Sequence, residues 1–251
     1  MNFKGKKVLI TGGSRGIGKA TAMAFAEHGA HVGINYKNQT DEAEKTLALL
    51  EGNHHQLYPC DISDQNAIKK MVADFVADHG QLDVLVNNAG ISIDHDIEEA
   101  NLDEWSSAFQ DTMATNFFAA SNLSFLAAMA MMQTGGGHIV NVSSRGAFRG
   151  EPTKPAYGAS KAALNSLTQS MAKRLAPHKI YVAAVAPGFT ETDMATKTLT
   201  PNERENLLRE SPFKRMAQPD EIAHAILFLA SDKSAYSSGT IIDVNGASYL
   251  R

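Results

Sequence analysis

Cys60 is the only cysteine among 251 residues, which excludes an internal disulfide and fits a reducing compartment. Following Pro59, that thiol reads as packing and not chemistry. Charge of one sign is scarce as well. Lys and Arg number 23 against 27 Asp and Glu, a net charge of −4, which argues against bulk attraction to nucleic acid or an anionic membrane surface. No apolar run approaches the roughly 18 residues that a membrane helix needs. The stretch from Met1 to Lys7 carries charge and leads into a short β-like run, so no secretion signal is read there. A cytoplasmic protein is the simplest expectation. The nine histidines have no ligand spacing. His54 and His55 are adjacent, so on a strand their rings would face opposite ways. No metal is indicated.

What the chain does have is alternation. Short β-branched or apolar runs at Lys7–Thr11, His31–Asn35, Gln56–Pro59, Asp83–Val86, His138–Val142, Tyr181–Val185 and Thr240–Val244 read as buried strands. Amphipathic stretches lie between them: Gly18–His28, Glu42–Leu50, Asn66–His79, Glu104–Gln133, Ala156–Leu175 and Asp220–Ala230. Continuous apolar strands, each followed by a helix, predict an α/β fold with a parallel sheet covered on both faces. Right-handed crossovers make it a doubly wound, Rossmann-like sheet of about seven strands in a single domain. The segment from about 189 to 215 lacks a strand pattern and carries Pro201 and Pro212. It reads as an insertion near the C-terminal edge of the sheet, a lid over a pocket.

The first strand runs into Thr11-Gly12-Gly13-Ser14-Arg15-Gly16-Ile17-Gly18, which opens the first helix. Glycines there let the backbone turn sharply and approach a pyrophosphate, whose charge sits against the helix N-terminus. The spacing is G-x-x-x-G-x-G and not the general dinucleotide G-x-G-x-x-G, so the strand-before, helix-after context carries the reading. A site for NAD usually places Asp or Glu on the ribose 2′-hydroxyl about 20 residues later. Here the second strand ends Ile34-Asn35-Tyr36-Lys37, without a carboxylate. Arg15 and Lys37 could hold a 2′-phosphate, so NADP(H) is favoured over NAD(H). The plainer alternative makes both of them solvated surface cations.

Tyr157 and Lys161 stand four residues apart at the start of a long helix, a spacing that puts both on one face. A tyrosine hydroxyl of pKa about 10 is a poor acid–base group near neutrality. A neighbouring ammonium would lower that value. Y-x-x-x-K alone is common. Its company is specific: Asn87-Asn88-Ala89-Gly90 after the fourth strand, Ser143-Ser144 after the fifth, Pro187-Gly188 after the sixth and Asn116 within the fourth helix. These strand ends share the C-terminal edge of the sheet, where doubly wound folds bind ligands.

With these motifs the sequence resembles the short-chain dehydrogenase/reductase family over essentially its whole length. The matches are T-G-x-x-x-G-I-G at Thr11–Gly18, N-N-A-G at Asn87–Gly90, V-S-S at Val142–Ser144, Y-x-x-x-K at Tyr157–Lys161 and P-G-x-x-x-T at Pro187–Thr192. The resemblance implies Tyr157 as general acid in reduction and base in oxidation. Lys161 would lower its pKa and hold the nicotinamide ribose, and Ser144 would fix the substrate oxygen. Asn116 would anchor a water in a proton relay. Asp61 would meet the adenine, with Ile62, Asn87, Ala89 and Gly90 bordering the adenosine half. Thr192 would contact the pyrophosphate or carboxamide end, with the backbone of Phe189 and Thr190 facing the ring. Ser143 is a neighbour, because the thirteen-residue separation selects Ser144. Asn87 and Asn141 are expected to be partly structural.

Within the family the chain looks most like the 3-oxoacyl-thioester reductase and glucose-dehydrogenase-like branch, on Ala186–Met194, Pro219–Ala223 and Asp243–Gly246. It departs from carrier-protein reductases at Gly135-Gly136-Gly137, where they tend to carry basic residues, and after Gly246, where paired glycines are usual. Arg145, Arg149 and Lys154 lie between Ser144 and Tyr157. They suggest a polar or anionic carbonyl substrate; the alternative leaves them solvated or at a subunit contact. Phe117, Phe118, Leu164 and Leu167 widen the apolar stripes of two helices, and the resemblance implies a homotetramer built on them. The expected function is NADP(H)-dependent reduction of a small-molecule carbonyl or oxidation of an alcohol. The competing class is a catalytically silent dinucleotide-binding sensor, although Ser, Tyr and Lys are all retained.

Overall fold

Val8 and Ile10 on the first strand belong to one apolar core and Leu9 to another on the opposite side. The same alternation recurs at Val84, Leu85 and Val86 and at Ile139 and Val140. Side chains of period two that are buried both ways define a sheet with two covered faces. The computed structural model describes residues 1–192 and 200–251. Its strands are β1 (Lys7–Ile10), β2 (His31–Tyr36), β3 (Gln56–Pro59), β4 (Val84–Asn87), β5 (Gly137–Val142), β6 (Ile180–Pro187) and β7 (Ile241–Val244). They form one parallel sheet in the order β3-β2-β1-β4-β5-β6-β7. Chain direction across the sheet therefore switches between β1 and β4, the place where such folds open a crevice.

Helices α1 (Gly16–Glu27) and α9 (Pro219–Leu229) cover one face, while α3 (Gln65–His79), α5 (Ala119–Thr134) and α7 (Pro155–Leu175) cover the other. Helix α2 (Thr40–Ala48) follows β2, α4 (Leu102–Met113) precedes α5, α6 (Gly146–Arg149) is one short turn, and α8 (Pro201–Glu210) lies in the segment expected to be an insertion. Local signals explain the boundaries. Asp64 accepts from the backbone N–H groups of Asn66 and Ala67, and Gly80 closes α3 at φ +80°. A side-chain cap of this kind contributes about 1 kcal/mol. The stretch expected as one helix over Glu104–Gln133 starts at a capping box, Asn101 with Glu104. It is then interrupted by a π turn at Ala114–Phe118.

His54 and His55 precede β3 instead of lying on it, and His54 sits at φ +67°. Its ring stacks on His31 at 4.8 Å, while His55 Nδ1 accepts from the Val32 N–H. Lys7 Nζ lies 2.6 Å from His31 Nδ1. An ammonium only donates, so that nitrogen is the unprotonated one. Burial first, and the Lys7 charge second, hold both His31 and His79 below their ordinary value of 6.5. The unfolded chain therefore binds protons that the folded chain refuses, and stability falls as pH drops through that ordinary value. The melting temperature should decline between pH 7 and 5, and the slope should be shallower in His31→Gln. Equal slopes would remove these imidazoles from the explanation.

Candidate active site

Thr11 joins the two turns that meet at the switch point. Its Oγ1 donates to Val86 O and accepts from the N–H groups of Asn88 and Ala89, both at 3.0 Å. Asn88 Nδ2 reaches back to Thr11 O and Gly12 O at 2.9 and 3.1 Å. Gly12 and Gly16 adopt φ of +61° and +53°, and a Cβ on Gly18 would lie 2.2 Å from Gly12 O. Glycine is thus demanded by close approach at one position and by backbone conformation at two others. The α1 N-terminus has no side-chain cap and no acidic residue in its first turn. Its first N–H groups and the positive end of its dipole are placed to take an anion. This cradle fits the pyrophosphate of a dinucleotide.

Around it opens a cleft of 1220 Å³, larger than the roughly 300–1,000 Å³ typical of a single small-ligand pocket. Gly12, Ser14, Arg15, Gly16 and Ile17 line it, as do Asn35, Tyr36, Lys37, Asp61, Ile62, Ala89 and Gly90. So do Ser144, Tyr157, Lys161, Pro187, Gly188, Thr190 and Thr192. Three expected site residues, Gly18, Asn87 and Asn116, stand behind the wall. Asn87 Nδ2 donates to Asn141 Oδ1 and Ser124 Oγ, and Asn141 Nδ2 to Thr168 Oγ1, a polar thread across β4, β5 and α7. Asn35 Nδ2 binds Tyr58 O and Cys60 O, fastening the ends of β2 and β3 beneath the cleft. Burial raises the Cys60 thiol to about 11, which keeps it protonated and inert. Lys37 Nζ pairs with Asp61 Oδ2 at 2.6 Å, and both side chains are partly exposed.

Tyr157 lies in the first turn of α7, whose N-terminus is set by Pro155 and by His95. The Ala156 N–H donates to His95 Nε2 at 3.2 Å. Lys161 follows one turn later, its Nζ 5.7 Å from the Tyr157 ring centre and 2.8 Å from Val142 O. Burial lowers this amine to about 8. The expectation that the Tyr157 hydroxyl lies below its ordinary pKa is corrected here. Burial pushes the phenol above its ordinary value, opposed by a hydrogen bond with the Ser144 side chain and reinforced by the Glu151 charge. Tyr157 is thus held protonated at neutral pH, as a proton donor must be. Ser144 Oγ also accepts from the Gly146 N–H at 3.0 Å. Ser143 instead points its Oγ at Lys161 O, 3.4 Å away.

Asn116 sits in the π turn. Its Oδ1 accepts from the Ile91 N–H at 2.8 Å, and its Nδ2 donates to Ile91 O and Ser160 Oγ. It thereby holds the segment after Gly90 against the tyrosine helix. Gly90 allows the approach: a Cβ there would be 3.2 Å from Asn116 Oδ1 and 3.4 Å from Lys161 Nζ.

The three loop cations do not wait for an anion. Arg145 pairs with Glu210 at 2.7 Å, Arg149 with Glu210 at 2.9 Å and Glu151 at 3.5 Å, and Lys154 with Asp94 at 3.4 Å. The expected attraction for an anionic substrate is corrected accordingly, because internal carboxylates already neutralise the loop. Sequence reasoning also missed His95, a lone histidine without spacing to single it out, and Glu210, whose partners are 61 and 65 residues away.

Residues 12–247 match the sequence family described as enoyl-(acyl carrier protein) reductase. The 3-oxoacyl-(acyl-carrier-protein) reductase of Thermotoga maritima is 39% identical over 248 residues, covering 98% of each chain. The enzyme of the same name from Staphylococcus aureus is 37% identical over 247 residues, again 98% of each. A short-chain type dehydrogenase/reductase from Mycobacterium marinum superposes with a TM-score of 0.89 at 31% identity, over 100% of this chain and 98% of the other. Likeness of this extent, in sequence and in fold alike, places the chain in the short-chain dehydrogenase/reductase family, as an NAD(P)-dependent oxidoreductase of carbonyl and hydroxyl groups.

Proposed function

We propose that the protein is an NADPH-dependent reductase of 3-oxoacyl thioesters, with Tyr157 as its proton donor. The observation that carries the chemistry is the convergence of Ser144, Tyr157 and a buried Lys161 on one wall of the cleft. The bound dinucleotide supplies the hydride. Ser144 Oγ and Tyr157 Oη donate to one carbonyl oxygen, which orients the substrate and stabilises the negative charge that develops there. Tyr157 then passes its proton to that oxygen. Lys161 holds the nicotinamide ribose, and its ammonium favours the phenolate left behind. Asn116 anchors the relay that returns the proton. The substrate class rests on the relatives named as 3-oxoacyl-(acyl-carrier-protein) reductases.

Preference for NADPH rests on the missing carboxylate at the end of β2 and on Arg15 and Lys37 at the rim of the cleft. A 2′-phosphate would compete with Asp61 for Lys37. The segment 189–215, in part outside the described residues at 193–199, acts as a lid through α8. Phe118, Phe125 and Met129 are exposed on and beside α5 and form the surface for a homotetramer, whereas Leu164, expected there, is core. The setting is cytoplasmic.

Titration with NADPH and NADH, followed by fluorescence, tests the preference. NADPH should bind at least about tenfold more tightly, and Arg15→Ala with Lys37→Ala should erase the gap, since hydrogen bonds to charged groups contribute about 1.5–3 kcal/mol. Tighter NADH binding would overturn it. Acetoacetyl thioester should be reduced and crotonyl thioester should not; the reverse would make this an enoyl reductase. Dinucleotide binding with no turnover on any carbonyl would favour the silent sensor.

A further inference from the structure

Behind the cleft lies a second cavity, of 310 Å³, between α8 and the turn after β7. Arg145, Phe189 and Leu207 line both spaces, so these three side chains are the wall between them. Beyond the wall Leu208, Met216 and Val244 share the lining with the polar Ser211 and Asn245 and with the Arg215–Glu221 ion pair. Arg145 is the odd member of this partition. It directly follows Ser144, yet its side chain is only 3% exposed. Its guanidinium lies 4.6 Å over the Phe189 ring, and Glu210 Oε2 at 2.7 Å and Ser248 O at 3.5 Å hold it there. A flat cation stacked on a ring and tied from two sides is pre-organised to stay in place.

We propose that Arg145 is a specificity-determining residue that shuts this cavity, with its Leu208, Met216 and Val244 wall, against the acyl chain of the substrate and so confines the enzyme to short 3-oxoacyl thioesters. The inference rests on the thioester reading above. A carbonyl carbon held at Ser144 directs the distal chain along the wall that begins with the next residue. Beyond a few carbons the chain meets the guanidinium, whose removal from Glu210 would be required before it could advance. Shortening Arg145 joins the two spaces without stranding a charge. Glu210 is partly exposed, and Arg149 Nη1 already sits 2.9 Å from the same carboxylate oxygen.

The test compares kcat/KM for acetoacetyl and 3-oxooctanoyl thioesters of coenzyme A. Wild type should prefer the four-carbon chain. Each methylene newly buried contributes about 0.8 kcal/mol, or roughly fourfold, so burying two or three of the four extra ones in Arg145→Ala should raise the eight-to-four-carbon ratio by roughly 16- to 64-fold. Leu207→Ala opens the same wall from the lid side and should move the ratio the same way if Arg145→Ala fails to fold. Met216→Phe added to either variant should fill the cavity and bring the ratio back. A loss of packing alone would lower both rates and leave the ratio still. Wild-type preference for the longer chain, or an unmoved ratio in variants that still reduce acetoacetyl thioester, overturns the inference and leaves the function standing. Reduction of other ketones with no turnover of either thioester overturns the function first.

Discussion

Tyr157→Phe should lower kcat for carbonyl reduction roughly a hundred- to ten-thousand-fold, the range that general acid–base groups supply, while dinucleotide affinity and melting temperature stay close to wild type. The variant deletes one oxygen and keeps the ring, so the packing beside Lys161 survives. What disappears is the proton donor. The pH profile should identify the same group. Because burial holds the phenol above its ordinary value, its protonated form dominates through neutrality. Reduction should therefore be nearly flat there, and alcohol oxidation, which needs the phenolate, should climb with pH. Full activity in the phenylalanine variant, or oxidation that falls as pH rises, would assign proton transfer elsewhere.

Gly18→Ala should weaken dinucleotide binding at least about a hundredfold and lower the melting temperature by several degrees. Within a helix this exchange is ordinarily favourable by roughly 1 kcal/mol. Here the added Cβ would stand 2.2 Å from Gly12 O and 2.6 Å from Asn88 Nδ2. One of these is backbone, and the other is the amide that ties Thr11 and Gly12 in place. Neither can retreat without moving the turn that cradles the pyrophosphate, and forced overpacking costs typically 1–3 kcal/mol. Gly13→Ala is the control, since its Cβ would press chiefly on the Ile34 side chain at 3.1 Å. Calorimetric titration with NADPH would settle the comparison. Similar affinities in both variants would show that the turn tolerates displacement.

Much of this architecture is legible before any coordinates because its signals are local. The strand read at Asp83–Val86 is apolar on both sides at Val84, Leu85 and Val86, which identifies a sheet covered twice. Glycines, Tyr157 and Lys161 sit at short fixed spacings that a helix or a turn converts directly into proximity. Other features come from pairs far apart in sequence. Nothing near Arg145 announces Glu210, and nothing near His95 announces the Ala156 N–H. Lys37 and Asp61 could each be read as a ligand contact, but their pairing required β2 and β3 to be side by side. The direction of the Tyr157 shift is hidden for a related reason. Helical spacing brings Lys161 close, but the shift is set first by burial, a property of the whole fold.

The π turn at Ala114–Phe118 sets an angular phase. An α-helix advances about 100° per residue, so a single additional residue in a wide turn rotates everything downstream by about that angle. Upstream, α4 packs against α7; downstream, α5 keeps contact with α7 but turns chiefly to α3 and the sheet. Removing a residue between Ala114 and Phe118 would preserve helicity yet swing Phe125 and Met129 around the axis, and the outer face of α5 would be aimed at a different neighbour.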